Sequence, residues 1–196
     1  IHVARLAREC LRLFDTVTVS FYDGDTVEEK NLRRQNFCAA EVGQNKAEAL
    51  AFRLSTAWGI PIHAYSRHFS EEGFQSEYHT LTILLGCVDT TKARRSLHKA
   101  LAHGNARNDS QTWLIDGGNL TTHGQVLIGN VVTDFNPQQS FLLGNVCQSL
   151  PAPALVHPEL IRRERRPVST PQRSCAELAQ ADPQSLTINS IIASHM

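Results

Sequence analysis

Charge of either sign is not in surplus: lysine plus arginine number 19 and aspartate plus glutamate 19 among 196 residues. No global field therefore draws the chain onto nucleic acid or an anionic membrane, and partners must be recognised locally. No apolar run approaches the roughly 20 residues of a membrane span. The opening residues, IHVARLAREC, lack the charged-then-apolar order of a secretion signal. These absences point to a cytoplasmic protein that binds neither nucleic acid nor membrane. The five cysteines, Cys10, Cys38, Cys87, Cys147 and Cys175, are widely scattered and form no C-x-x-C pair. That excludes a disulfide framework and leaves a structural zinc unexpected.

What is present suits one α/β domain with a tail. Thr16 to Lys46 organises it. Val17, Val19 and Phe21 alternate with other residues and then meet the acidic turn Asp23-Gly24-Asp25, the pattern of a strand ending in carboxylates. In an open α/β sheet the crevice beyond the strand ends takes the ligand, and an acid there suits the hydroxyls of a ribose. Asn31, Arg33, Arg34, Gln35 and Lys46 follow. Carboxylate first and cations afterwards is the polarity of a nucleotide, sugar then phosphates.

Ile1 to Phe14 reads as a helix, from Val3, Ala7, Cys10 and Phe14. A doubly wound nucleotide-binding domain opens with a strand and a glycine-rich turn. Neither precedes this helix, as expected of a fragment or a misplaced start. Ala47, Leu50, Ala51 and Leu54 mark a second helix closed by Gly59 and Pro61. Ile60, Ile62 and Ala64 alternate as a strand, and Arg67 to Tyr78 reads as a loop. His63, His68 and His79 show no metal-ligand spacing and read as solvated or partly packed.

Leu81 to Val88, LTILLGCV, is apolar enough for a central parallel strand covered on both faces. It ends at Asp89, which can cap the helix after it or offer hard oxygens to magnesium. Trp113 to Asp116 reads as a strand, Gly117-Gly118-Asn119 as a turn, and GQVLIG as another strand. Seven of the eight prolines lie after Val131, so that region resists regular structure. The cluster Arg162, Arg163, Arg165 and Arg166 has no aromatic residues interleaved and reads as a solvated face. A last helical pattern runs through Leu186, Ile188, Ile191 and Ile192. Cys175 precedes it in a polar stretch where a helix start and nearby arginines favour a thiolate, although a lone cysteine is also a small packing residue. Cys147 is a second candidate, and Cys38 and Cys87 read as packing residues.

Three segments, Asp23 to Val27, Asn31 to Gln35 and Val42 to Lys46, carry an acidic-x-Asp-x-Val turn, Asn-Leu-x-Arg-Gln and Val-Gly-x-x-Lys. In these the chain resembles the ThiF/MoeB/ubiquitin-activating adenylation family. FYDGDTV, GCVDTTKAR and SCAELAQ bring it nearest to the ThiF-like proteins of plasmid PRTRC cassettes. The resemblance implies a Rossmann-like doubly wound, mostly parallel sheet. It divides the chain into an adenylation core over 1–130, a proline-rich crossover over 131–175 and a helical segment over 176–196. A G-x-G-G-x-G loop would precede the first helix, and the structural zinc of many relatives looks absent. By resemblance Asp23 holds the ribose of ATP, Asn31, Arg34 and Lys46 its phosphates with Gln35 in support, and Asp89 the Mg2+. Where the family has Asp-Asn the chain has Asp89-Thr90, and Arg94 matches a family arginine that could equally form a surface salt bridge. The implied partner is a small ubiquitin-like or sulfur-carrier protein, adenylated at its C-terminal carboxylate and then transferable to Cys175 as a thioester. Relatives act as homodimers. An NAD-dependent oxidoreductase on the same fold and a non-catalytic partner-binding module remain the alternatives.

Overall fold

The computed structural model describes residues 1–33, 35–72, 74, 76–106, 111–119, 124–141, 146–162 and 192–196. The chain forms two compact units, residues 1–69 and 70–196.

In the first unit helix α1 spans His2–Cys10, strand β1 Val19–Tyr22, helix α2 Lys46–Trp58 and strand β2 Ile62–Tyr65. The two strands pair in parallel, Val19 opposite Ile62 and Tyr22 opposite Tyr65. Parallel neighbours need a crossover, and α2 supplies it. Val19 and Phe21 turn inward while Ser20 and Tyr22 turn outward, the alternation read from the sequence. The core is Ala4 and Ala7 of α1 against Leu54 and Ile60, with Val19, Phe21, Leu50 and Trp58 packed around them. α1 ends four residues before Phe14, which is 50% exposed. At the far end of α2, Gly59 takes φ 63°, a left-handed cap that costs glycine no steric penalty.

In the second unit β3 (Leu81–Gly86), α3 (Thr91–Gly104), β4 (Gln111–Asn119) and β5 (Gly124–Gly129) form a second crossover and a hairpin. β3 and β4 are parallel, β4 and β5 antiparallel. The mixed α/β content and parallel crossovers are those of a Rossmann-like fold, as expected. α3 buries Leu97, Ala100 and Leu101. Leu81 and Ile83 of β3 stay 50% and 45% exposed, so this strand is not covered on both faces as its apolar run suggested. Gly117 and Gly118 belong to β4 and pair with Val126 and Gln125, where the sequence suggested a turn. Asn105, beyond α3, binds the N–H and carbonyl of Thr112 and the carbonyl of Asn130, so one carboxamide fixes the helix end against two strand ends. A short helix α4, Pro153–Val156, and 3₁₀ turns lie in the proline-rich region. Ile192 and Met196 lie against Gly117. Among the described residues no helix is long and apolar enough to cross a membrane.

Glu71 fastens the segment before β3 onto α3. Its carboxylate takes hydrogen bonds from Lys99 Nζ at 2.6 Å and Ser96 Oγ at 2.5 Å. These bonds, that from Lys99 first, lower its pKa from 4.5 to about 2. Because the folded value is depressed, the stabilisation is present above 4.5 and lost as pH falls through about 2. Thermal melts of wild type and Glu71→Gln should keep a constant gap at neutral pH, and the gap should close between pH 4.5 and about 2.

Candidate functional site

Asn45 builds the turn after β1. Its Nδ2 donates to the carbonyls of Asp23 at 2.8 Å and Asp25 at 3.0 Å. Its Oδ1 accepts from the N–H groups of Ala47 at 2.9 Å and Glu48 at 3.2 Å, capping α2. The acidic turn and the helix start are thus joined through one side chain. The Asp25 N–H donates to Asp23 Oδ1 at 2.9 Å, closing an Asx turn. Lys46 Nζ lies 3.1 Å from Asp25 Oδ2, with the lysine side chain 13% exposed. The ammonium expected at the phosphate end of a nucleotide therefore stands beside Asp25, in the same turn as Asp23, the acid expected at the sugar end.

The segment after the turn is folded into 3₁₀ turns at Glu29–Arg33 and Ala39–Glu41. Asn31 is only 2% exposed, and its Oδ1 accepts the Glu28 N–H at 2.8 Å. Gln35 Oε1 is buried without a hydrogen-bond partner among the described residues. Glu41 accepts the Cys38 N–H at 2.7 Å and pairs with Arg53 Nε at 3.3 Å, pinning the segment to α2. Arg34 lies outside the described residues.

In the second unit Thr90, not Asp89, caps α3: its Oγ1 accepts the Ala93 N–H at 3.2 Å. The capping alternative for Asp89 thereby falls. Asp89 is exposed beyond the end of β3, with no partner for its carboxylate among the described residues. Arg94 is engaged inward. Its Nε lies 3.0 Å from Asp116 Oδ2, with side chains 15% and 6% exposed, so the pair is buried and not a surface bridge. Burial pushes the Asp116 carboxyl up, against the pull of Arg94. Cys38 and Cys87, read as packing residues, are both exposed, and Cys147 is half-buried. Cys175 and the arginines at 163, 165 and 166 lie outside the described residues.

The structure thus brings Asp23 and Lys46 to one turn, with Asn31 and Gln35 in the segment between them in sequence. Asp89 belongs to the other unit. Sequence reasoning passed over Asn45, although a cap residue just before a helical pattern is a legible signal. It also passed over Asp116, a carboxylate closing an apolar strand run. His68, read as solvated or partly packed, is exposed, and its ring and the carboxylates of Asp23 and Asp25 have ligand atoms within 4.8 Å of one another.

A family model described as the ThiF family matches residues 9–175. No curated protein matches the chain.

Two outcomes follow from these contacts. Asn45→Ala should cost about 2 kcal/mol in urea unfolding, from the lost cap and the lost ties to the turn. Arg94→Ala should cost about 3–5 kcal/mol by leaving Asp116 buried and unpaired, and Arg94→Met combined with Asp116→Leu should recover most of that loss.

Proposed function

The chain belongs to the ThiF family, and from that premise we propose that it adenylates the C-terminal carboxylate of a small ubiquitin-like or sulfur-carrier protein with Mg-ATP. Family membership supports E1-like adenylation chemistry in general. The observation that supports the specific reading is the Asn45-locked turn at the end of a parallel strand, which carries Asp23 and holds the Lys46 ammonium 3.1 Å from Asp25 Oδ2.

The donor set fits the nucleotide. Among the described residues Asp23 Oδ1 takes only a backbone N–H, leaving capacity to accept from ribose hydroxyls. Lys46 is held by an exposed aspartate, a partner it can exchange for a phosphate oxygen. Asn31, with its Oδ1 occupied, would shape the phosphate segment or donate through Nδ2. Gln35 Oε1 would support the same segment, and Arg34 is assigned to the phosphates on the resemblance. Asp89 offers an exposed hard oxygen donor, which suits Mg2+. The metal supplies charge neutralisation on the phosphates.

The reaction itself asks little proton chemistry of the protein. An ionised carboxylate attacks the α-phosphorus, a P–O bond to the new acyl group forms, and the bond to pyrophosphate breaks. Positioning and neutralisation of charge by the chain's cations carry the step. Cys175 would then attack the acyl carbon and release AMP, leaving a thioester. A homodimer and kinship with the PRTRC-cassette proteins belong to the same proposal, on the resemblance alone.

Carrier-dependent ATP–pyrophosphate exchange tests it. Asp89→Ala should lower exchange by at least about a hundredfold, while Cys175→Ala should leave exchange intact and remove only the thioester. Exchange that survives the first change would show the metal residue to be misassigned. Its loss in the second would show Cys175 to be structural.

A further inference from the structure

We infer that His68 reads the ribose of the nucleotide, joining Asp23 in gripping its vicinal hydroxyls and so selecting ribonucleotides over deoxyribonucleotides. This rests on the adenylation reading above and extends it to a residue that the sequence motifs do not include.

His68 follows β2 and returns to the end of β1 because the two strands run in parallel. Its ring lies over Gly24, so closely that a Cβ there would sit 2.9 Å from Nε2. The absence of a side chain at residue 24 is what admits the imidazole to the turn, near both aspartates. Contacts on both sides of His68 hold its turn in place. Tyr65 stacks on Tyr22 with centroids 4.5 Å apart, and Phe69 meets Tyr22 edge-on at 5.4 Å. The Asp23 N–H donates to the Tyr65 carbonyl at 3.2 Å. The imidazole itself has no hydrogen-bond partner among the described residues, so its orientation comes from packing and its polar atoms stay available.

The spacing suits a hydroxyl. Ring nitrogen and carboxylate oxygens lie within 4.8 Å of one another, and a hydroxyl between two partners spans up to about 5.6 Å, twice an O···O or N···O bond of about 2.8 Å. One hydroxyl can donate to the Asp23 carboxylate and accept from the ring N–H, while its neighbour on the sugar meets the remaining carboxylate oxygen. The same atoms could in outline ligate a divalent cation. Charge argues against it: Lys46 already stands 3.1 Å from Asp25 Oδ2, where its ammonium offsets one carboxylate and repels a dication.

Calorimetry on the full chain with ATP, 2′-deoxy-ATP and 3′-deoxy-ATP in magnesium buffer tests the inference. Wild type should prefer ATP to at least one deoxy analogue by roughly three- to tenfold, the worth of one hydrogen bond. His68→Ala should reduce that preference to what Asp23 alone supplies, His68→Gln should keep more of it, and Gly24→Ala should weaken it by displacing the ring. ATP binding with an unchanged ribo/deoxy ratio in His68→Ala would overturn the inference and leave the adenylation reading standing. Failure of wild type to bind any of the three would overturn both. Zinc binding lost in His68→Ala, with the nucleotide ratio unmoved, would overturn the inference in favour of a cation site.

Discussion

The carboxamide of Asn45 is the constraint on which the first unit's candidate site depends. A helix start leaves N–H groups unsatisfied, and an exposed turn leaves carbonyls pointing at no fixed partner. Asn45 answers both needs at once, accepting from Ala47 and Glu48 and donating to Asp23 and Asp25. The chain returns to the turn through the Thr26–Asn45 bridge and the bond from the Val27 N–H to Gln44. Lys46 is therefore placed by its sequence position, one residue after the clamp. An aspartate in the same place could cap the helix but could not donate to the two carbonyls.

The second unit uses the same device with other residues. Asn105 joins the end of α3 to β4 and to the residue after β5. Arg94 reaches from the first turn of α3 to Asp116 on β4. Helix and strand are thus tied at both ends by polar side chains, while Leu97, Ala100 and Leu101 fill the space between. A buried ion pair adds little net stability relative to apolar packing. Its value is directional, since the Arg94 Nε–H must face the Asp116 carboxylate, which ties the first turn of α3 to β4.

The sequence was most legible where the signal is local. Alternation marked β1, helical spacing marked α2 and α3, and Gly59 marked a helix end; each depends on residues a few positions apart. The misreadings were non-local. Gly117 and Gly118 look like a turn until β5 supplies their pairing partners, and β3 looks doubly covered although Leu81 and Ile83 are exposed. At the start of α3, Asp89 and Thr90 are both capping residues, and a shift of one position decided between a helix cap and an exposed carboxylate. His68 is silent in a motif search because it joins the acidic turn only through parallel strand pairing. The strand end before Asp23 and the helix start at Lys46 were legible because each is marked by residues a few positions away; Arg34 and Cys175 fall outside the described residues.

The chain's two tryptophans are distributed one to each unit. Trp58 packs against the core formed by α1 and α2, whereas Trp113 lines an apolar cleft with Ile83, Ile115 and Ile128. Replacing either indole with phenylalanine leaves a single tryptophan, whose emission under excitation at the red edge, where the three tyrosines do not absorb, can follow the melting of its own half. Divergent midpoints would distinguish sequential disassembly from one concerted transition without attaching a dye.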